Sequence, residues 1–154
     1  LILKNKNYKY SIKEQENWFK KNIKTKDKHI CLFFKSKIIG YNCLREKKAK
    51  KICKKKKNIV LYIFDTLLLD PQFRDLKLSK IIMKKSILLI NKKNYISLLT
   101  CYDNMINYYK KFEWKIFSSN KVLSKEFRDR KKKIMIYQKN YPKKKMIKKI
   151  EIYE

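Results

Sequence analysis

An almost unbroken apolar stretch in the middle of the chain restricts the folds that this sequence can adopt. It runs from Ile59 to Leu69 and is interrupted only by Tyr62, Asp65 and Thr66. Such a run predicts a β-strand buried on both faces, as in the centre of a sheet that helices cover. The strand is expected to end before Pro71, because proline cannot donate a hydrogen bond to the ladder.

The segments around this strand predict an alternation of helices and strands. Because a helix separates the strand at 59–69 from the next buried strand, these two strands are expected to be parallel, joined by a right-handed crossover. The expected elements are a helix opened by a capping box at Ser11 to Glu14, a hairpin of 29–34 and 38–44 with its turn at 35–37, the strand 59–69, an amphipathic helix 76–90 with Leu78, Ile81, Ile82, Ile87, Leu88 and Leu89 on its apolar side, a strand 95–101, a short helix capped by Asp103 that ends at Phe112, and strands 114–117 and 134–137.

Charge excludes some classes of protein and leaves others open. The 154 residues include 43 Lys+Arg and 13 Asp+Glu, but 44% are hydrophobic, which is too many for a disordered basic tail. Eight lysines lie between Lys47 and Lys57, so this run is expected to be a mobile, solvated loop, and 139–154 to be a basic tail. Binding of these runs to nucleic acid or an anionic surface stays open. A solvated lysine face is favoured, because no aromatic residues alternate with the lysines of the loop.

The cysteines argue against metal sites and disulfide frameworks. Four cysteines lie far apart without a C-x-x-C pair, and the one histidine, His29, cannot complete a zinc site with them. No metal is expected, His29 is interpreted as a strand residue, and Cys101 as part of the core. No stretch approaches the roughly 18 apolar residues of a membrane-spanning helix. A reduced, cytoplasmic protein is the expectation, with the nucleus left open.

The turn after the apolar strand is the first candidate site. A loop that leaves a buried strand and opens a helix exposes backbone N–H groups at the positive end of the helix dipole, which suits a phosphate group. Arg74 and Lys77 add positive charge to this turn. The alternative is an ordinary crossover loop with solvated basic residues, since the glycines of phosphate-binding loops are missing.

Three segments of the chain resemble the GNAT N-acetyltransferase superfamily. Leu69 to Met83 resembles its acetyl-CoA motif, R-x-x-G-x-G/A before an apolar helix, and Leu99 to Ile116 resembles its later strand, its F-Y-x-K-x-G-F helix and the strand that follows. Lys35 to Tyr41 resembles its hairpin, and the likeness covers about 10–138. It implies one α/β (α+β) domain, with a mixed, mostly antiparallel sheet, a splayed parallel pair at its centre and helices on both faces.

Glycine is nearly absent from the segments that carry this resemblance. The chain has one glycine, Gly40; Lys77 and Ser79 stand at the two turn glycines of the family, and Glu113 at the glycine of its G-F pair. Asp75 also occupies a position where the family often has glycine. Lysine, asparagine, isoleucine and tyrosine have codons rich in A and T, so we interpret the loss as compositional drift.

The resemblance implies roles for particular residues. Tyr109 would give a proton to the departing thiolate of CoA, and Asp65 would be a general base for the amine; the alternative for Asp65 is a structural aspartate bonded to backbone, and for Tyr109 a packed core tyrosine. The implied cofactor-binding residues are Leu67, Leu68 and Leu69 along the pantetheine arm, Arg74, Asp75, Leu76, Lys77, Leu78 and Ser79 at the pyrophosphate, and in addition Lys80 and Asn104.

The implied function is direct transfer of an acetyl group from acetyl-CoA, as co-substrate, to a primary amine. The short spacing from Leu99 to Tyr109 is similar to that of glucosamine-phosphate and arylalkylamine acetyltransferases, which favours a small amine. Protein or peptide acetylation and an inactive, basic GNAT-like binding module are the alternatives. The expected partners are acetyl-CoA and the amine, with a homodimer left open.

Overall fold

The helices and strands follow the predicted alternation along most of the chain. The structure is a computed structural model and describes residues 11–52, 56–129, 131–139 and 147–153. The elements are α1 (Ile12–Asn22), β1 (Lys28–Phe34), β2 (Lys37–Ile52), β3 (Lys56–Leu69), α2 (Ser79–Lys93), β4 (Ile96–Cys101), α3 (Ile106–Lys110), β5 (Lys115–Phe117), β6 (Val122–Leu123), β7 (Lys133–Tyr137) and β8 (Lys149–Ile152), with 3₁₀ helices at Pro71–Leu76, Asp103–Met105, Ser119–Lys121 and Lys125–Phe127.

Two compact units divide the chain. The first comprises Leu1–Arg45 and Phe64–Ile87, and the second comprises Glu46–Ile63 and Leu88–Glu154. The long strands β2 and β3 therefore contribute residues to both units.

The first unit contains the capped helix and the hairpin that the sequence predicts. The capping box is formed: Ser11 Oγ accepts from the Glu14 N–H at 3.3 Å, and the Ser11 N–H donates to Glu14 Oε2 at 2.7 Å. Strands β1 and β2 pair antiparallel from Lys28 opposite Leu44. Lys35 and Ser36 at the turn have φ of 43° and 59°, the left-handed pair that a two-residue hairpin turn requires.

Gly40 lies where β2 packs closely against neighbouring side chains of the first unit. A Cβ atom built there would lie 2.7 Å from Ile82 Cδ1, 2.9 Å from Leu69 Cδ2 and 3.2 Å from Leu32 Cβ. The backbone at Gly40 does not have positive φ. A Cβ here would therefore require the ends of the Ile82 and Leu69 side chains to shift, whereas the backbone conformation does not require glycine.

The second unit is built on a mixed sheet with the strand order β5-β7-β4-β3-β2-β8-β6. Strands β3 and β4 pair in parallel from Leu61 opposite Ile96 to Ile63 opposite Leu98, which confirms the predicted parallel pairing. Strand β7 is antiparallel to β4 and β5, and β8 is antiparallel to β2 but parallel to β6. The core of this unit is mainly aliphatic, with Leu61, Ile63, Leu98, Phe117, Phe127, Ile134, Ile136 and Ile150 among its buried residues.

The lysine-rich run was wrongly predicted to be a loop. Residues 47–52 belong to β2 and 56–57 to β3, while 53–55 lie outside the described residues. Ala49 is fully buried and pairs with Ile152 of β8. The segment expected as a tail thus contributes a strand at 149–152, and 140–146 and 154 lie outside the described part of the chain.

The helix predictions also need correction. Helix α2 begins at Ser79 rather than Leu76, because a 3₁₀ helix and a left-handed residue come first. Ile81 and Leu88, predicted on its apolar side, are 52% and 58% exposed. Asp103 does not cap α3: the residue before the 3₁₀ helix is Tyr102, and no side chain makes the cap.

Two single residues lie where the sequence analysis placed them. His29 lies on β1, and Cys101 is buried at the end of β4. Within the described ranges, no helix combines the length and apolar character needed to cross a bilayer.

Candidate functional site

The turn that follows β3 is tied to the hairpin of the first unit. Asp70 Oδ1 accepts from the Gln72 N–H at 3.2 Å and so caps the 3₁₀ helix, while Lys37 Nζ lies 3.0 Å from Asp70 Oδ2. The Asp70 N–H donates to the Ile39 carbonyl at 2.8 Å. The hydrogen bond from Lys37, followed by that from the Gln72 backbone, lowers the pKa of Asp70. The entry to the turn is therefore fixed by three contacts.

The sequence predicts that the N–H groups from Arg74 to Ser79 bind phosphate, but the 3₁₀ helix engages some of them. Residues 74–76 lie inside it, where each N–H is directed at the carbonyl three residues earlier. At the start of α2, the Lys80 N–H donates to the Lys77 carbonyl at 3.1 Å and the Ile81 N–H to the Leu78 carbonyl at 3.0 Å. Among the described residues of this turn, the N–H groups of Lys77, Leu78 and Ser79 have no backbone acceptor.

Lys77 keeps a glycine-like backbone at this turn. It ends the 3₁₀ helix with φ 55° and ψ 20°, the left-handed conformation. Its side chain and those of Arg74, Asp75, Leu76 and Lys80 are exposed. The side chains of this segment therefore carry three positive charges and one negative charge next in sequence to these N–H groups, a balance that attracts a phosphate.

Strand β3 contains a left-handed residue just before the predicted pantetheine segment. Thr66 has φ 62° although it lies within the strand and is β-branched, which makes it a strong outlier. Leu67, Leu68 and Leu69 follow it and are half-buried. A left-handed residue inside a strand is typical of a β-bulge, which changes the direction of the backbone groups that follow.

Asp65 is held by an ion pair. Arg45 Nε donates to Asp65 Oδ2 at 2.8 Å, and Thr66 Oγ1 donates to Asp65 Oδ1 at 2.9 Å. The side chains of Arg45 and Asp65 are 6% and 25% exposed, and the Arg45 guanidinium also lies over the Trp18 ring. This geometry favours the structural alternative for Asp65, since both carboxylate oxygens already accept hydrogen bonds.

Tyr109 lies on α3 in the second unit and is 7% exposed. Its ring makes edge contacts with Tyr108 and Trp114, at centroid distances of 5.3 and 6.3 Å. Burial, followed by the proximity of Cys101 and Tyr108, raises the pKa of Tyr109 above that of a free phenol. The phenol therefore stays protonated at neutral pH and retains a proton to donate.

The remaining predicted residues are divided between the units. Asn104 is exposed in the 3₁₀ helix Asp103–Met105 of the second unit, and Glu113, at the family glycine after α3, is left-handed with φ 65°. An open cavity of about 950 Å³ in the second unit is lined by residues between Ile116 and Ile134, and none of the predicted site residues lines it. The described residues contain no group of three or more His, Cys, Asp or Glu that could hold a metal ion.

The sequence analysis missed two residues that contact Asp65. Asn42 Nδ2 donates to the Asp65 carbonyl at 2.7 Å, and Arg45 pairs with the carboxylate. Asn42 is fully buried. A polar residue inside the predicted strand 38–44 was a signal for it, but nothing in the sequence indicated its partner.

No family model matches this chain, and no curated protein matches it by sequence. Solved structures do match. An acetyltransferase of the GNAT family from Staphylococcus aureus Mu50 is 16% identical, with 86% of this chain and 82% of that chain covered at a TM-score of 0.60.

Two similar structures contain coenzyme A. The PaiA N-acetyltransferase of Thermoplasma acidophilum is 17% identical, covering 84% of this chain and 80% of that chain at a TM-score of 0.52. The YlbP N-acetyltransferase of Bacillus subtilis is 12% identical, covering 85% and 84% at a TM-score of 0.55. The chain therefore has the fold of the GNAT acetyltransferases.

Proposed function

We propose that this chain is an acetyl-CoA-dependent N-acetyltransferase that acts on the primary amine of a small molecule. The observation that carries the proposal is the turn after β3, which keeps a left-handed residue at Lys77 and, within its described residues, N–H groups without a backbone acceptor from Lys77 to Ser79 despite the loss of glycine. The likeness to two N-acetyltransferases in complex with coenzyme A supports it.

In the proposed reaction, the neutral amine attacks the carbonyl carbon of the thioester. The carbon–nitrogen bond forms, the carbon–sulfur bond breaks, and CoA leaves as a thiolate. Tyr109 donates its phenolic proton to the thiolate and regains one from solvent. The proton lost by the amine goes to solvent. The phenol of Tyr109 is protonated when the thiolate forms, so a proton is present for this step.

The cofactor is proposed to bind along the end of β3 and the start of α2. Backbone groups of 67–69 would pair with the pantetheine arm, and one N–H there would polarise the thioester carbonyl. The N–H groups of Leu78 and Ser79 would bind the pyrophosphate, with Arg74, Lys77 and Lys80 supplying positive charge. Asn104 stays a predicted cofactor contact.

For the acceptor, we propose an amino sugar phosphate or an arylalkylamine. Nine residues separate Leu99 from Tyr109. This short spacing is similar to that of the two small-amine families and supports this choice. Of these two acceptors, the positive charge of the chain favours the amino sugar phosphate, because it carries a negative charge. Acetylation of a protein or peptide amine is the alternative, and an acceptor screen separates the two.

Isothermal calorimetry with acetyl-CoA tests the proposal directly. Micromolar binding is expected, followed by thiol release from CoA when amino sugar phosphates, arylalkylamines and a short peptide are screened as acceptors. Absence of binding at millimolar acetyl-CoA would overturn the proposal. Retained binding to polyanions would then support the inactive, basic binding module, which the side chains of Lys77, Ser79 and Asp75 at the turn favour.

Tyr109→Phe tests the proton donor. The fall in kcat is expected to be about a hundredfold, because the phenol is the group that protonates the thiolate. Acetyl-CoA affinity and thermal stability should change little. Tyr108→Phe is the matched control, since it makes the same change on the neighbouring residue of α3. Equal kcat in the two variants would rule out the role of Tyr109.

Asp65→Asn tests whether this carboxylate is a base or a structural group. We expect a loss of about 3 kcal/mol in the free energy of unfolding, since the ion pair between Arg45 and Asp65 is lost. The shape of the pH–rate profile should stay the same. If the acidic limb of the profile disappears instead, Asp65 is the base that the sequence predicts.

A further inference from the structure

Asn42 is a fully buried polar side chain with hydrogen bonds at both ends of its carboxamide. Its Nδ2 donates to the Asp65 carbonyl of β3 at 2.7 Å, and its Oδ1 accepts from Ser86 Oγ of α2 at 3.0 Å. Ser86 is also fully buried. Burial of an amide is tolerated when its donors and acceptors are paired, so this pair of contacts fixes the orientation of the Asn42 side chain.

The carbonyl that Asn42 binds belongs to the peptide just before the left-handed Thr66. A β-branched residue with φ 62° is strained, and such strain persists only where the surroundings hold the backbone in place. Arg45 fixes the side chain of Asp65 through its hydrogen bond to the carboxylate. Asn42 holds the Asp65 carbonyl, which is the atom that would move if the peptide rotated into a regular strand.

The residues after Thr66 are those proposed to bind the pantetheine arm. Relaxation of φ at Thr66 would turn the backbone groups of 67–69 away from their present directions. We infer that Asn42 is a positioning residue, which keeps this part of β3 in the conformation that binds acetyl-CoA and orients its thioester. The inference rests on the proposed function, and Asn42 is not among the site residues predicted from the sequence.

Asn42→Ala is the direct test, with Ser97→Ala as the matched control. Ser97 is also fully buried and donates to a carbonyl of β3, that of Tyr62 at 3.0 Å, but at a regular strand residue. We expect kcat to fall about a hundredfold in Asn42→Ala, as when a reacting group is misplaced by about 1 Å, while Ser97→Ala keeps its kcat. Equal kcat effects in the two variants would overturn the inference.

A second substitution separates positioning from simple stability. Glycine adopts positive φ without strain, so Thr66→Gly should need less support from Asn42. In the Asn42→Ala background, Thr66→Gly is therefore expected to recover at least about tenfold in kcat. A merely structural role of Asn42 predicts no recovery of kcat. If Asn42→Ala does not fold, the same comparison is made with Asn42→Ser.

Hydrogen exchange distinguishes failure of this inference from failure of the proposed function. Amides 67–69 should exchange about tenfold faster in Asn42→Ala than in Ser97→Ala, whether or not the protein is an enzyme. Equal exchange rates in the two variants would refute the inference that Asn42 stabilises the conformation of this part of β3. If exchange is faster in Asn42→Ala but the wild-type protein neither binds acetyl-CoA nor transfers acetyl groups, the role of Asn42 in holding the strand is supported and the proposed function is overturned.

Discussion

Gly40 on β2 and Lys77 at the turn after β3 have opposite relations to glycine. Gly40 is the one glycine of the chain, and its backbone has no positive φ. Lys77 has a long side chain on a left-handed backbone with φ 55°. Both belong to the first unit, and both correspond to positions where the family resemblance predicts glycine.

The difference between these two positions shows which need for glycine is harder to replace. A left-handed backbone costs a residue with a Cβ about 1 kcal/mol, and the side chain of Lys77 extends into solvent. A Cβ at Gly40 would meet Ile82, Leu69 and Leu32 at 3.2 Å or less. The chain thus has glycine at the position where a Cβ would be crowded and lysine at the position where the requirement is torsional.

Among the positions that relate to glycine, the largest effect is expected at Gly40. Gly40→Ala should lower the free energy of unfolding by about 2 kcal/mol, because the new methyl group overpacks a close contact. Urea denaturation measures this loss. Ile82→Val, which removes the Cδ1 atom lying 2.7 Å from the new Cβ, should be less destabilising in the Gly40→Ala background than in wild type. Independent effects would mean that space at Gly40 is not limiting.

A smaller effect is expected at Lys77. Lys77→Gly should raise the free energy of unfolding by about 1 kcal/mol, since glycine relieves the left-handed strain. It should also bind acetyl-CoA more tightly than Lys77→Asn, which removes the same charge but keeps a side chain at the turn. Calorimetry on both variants measures the difference. Weaker binding by Lys77→Gly would show that the side chain does not crowd the turn.

Glu113 provides the smallest effect and a control for Lys77. It is also left-handed, with φ 65°, but lies in the second unit after α3. Glu113→Gly should raise stability by only about 0.5 kcal/mol, because a favourable negative charge is lost from a chain of charge +30. Acetyl-CoA affinity should not change. If Glu113→Gly changes the affinity for acetyl-CoA as much as Lys77→Gly does, both changes in affinity result from a general effect on the fold.

Sequence patterns predicted the elements that depend on local residues. The capping box of Ser11 and Glu14 involves neighbours in the chain, and the crossover from β3 to β4 follows from two apolar runs with a helix between them. The buried face of α2 was predicted less well. Ser86 is buried because it binds Asn42, 44 residues away, whereas Ile81 is exposed, and hydrophobicity alone assigns them the other way round.

The strand at Ala49 shows why the lysine run could not be predicted. Its lysines are solvated whether the backbone is a loop or a strand, so composition does not separate the two. Ala49 becomes a strand residue through pairing with Ile152, about a hundred positions later. That pairing makes the segment a strand, and the residue pattern of 47–57 alone does not predict it.

The candidate site was predicted in the same uneven way. The turn, Tyr109 and the end of β3 were predicted because each belongs to a motif of residues that are contiguous in the sequence. The state of Asp65 depends on Arg45 and Asn42, each at least 20 residues distant. Burial of Asp65 in the apolar run suggested a base, but only the fold reveals a guanidinium beside it.

The lysine-rich ends of β2 and β3 make the fold dependent on its ionic atmosphere. These adjacent strands carry lysines on both sides, and acidic groups offset only some of them, such as Glu126 at 3.1 Å from Lys47 and Glu151 opposite Lys50. At low ionic strength this repulsion extends over tens of ångströms, and salt shortens its range. We therefore expect dissolved salt to stabilise the folded state, and dilution into pure water to destabilise the sheet at these lysine-rich strand ends.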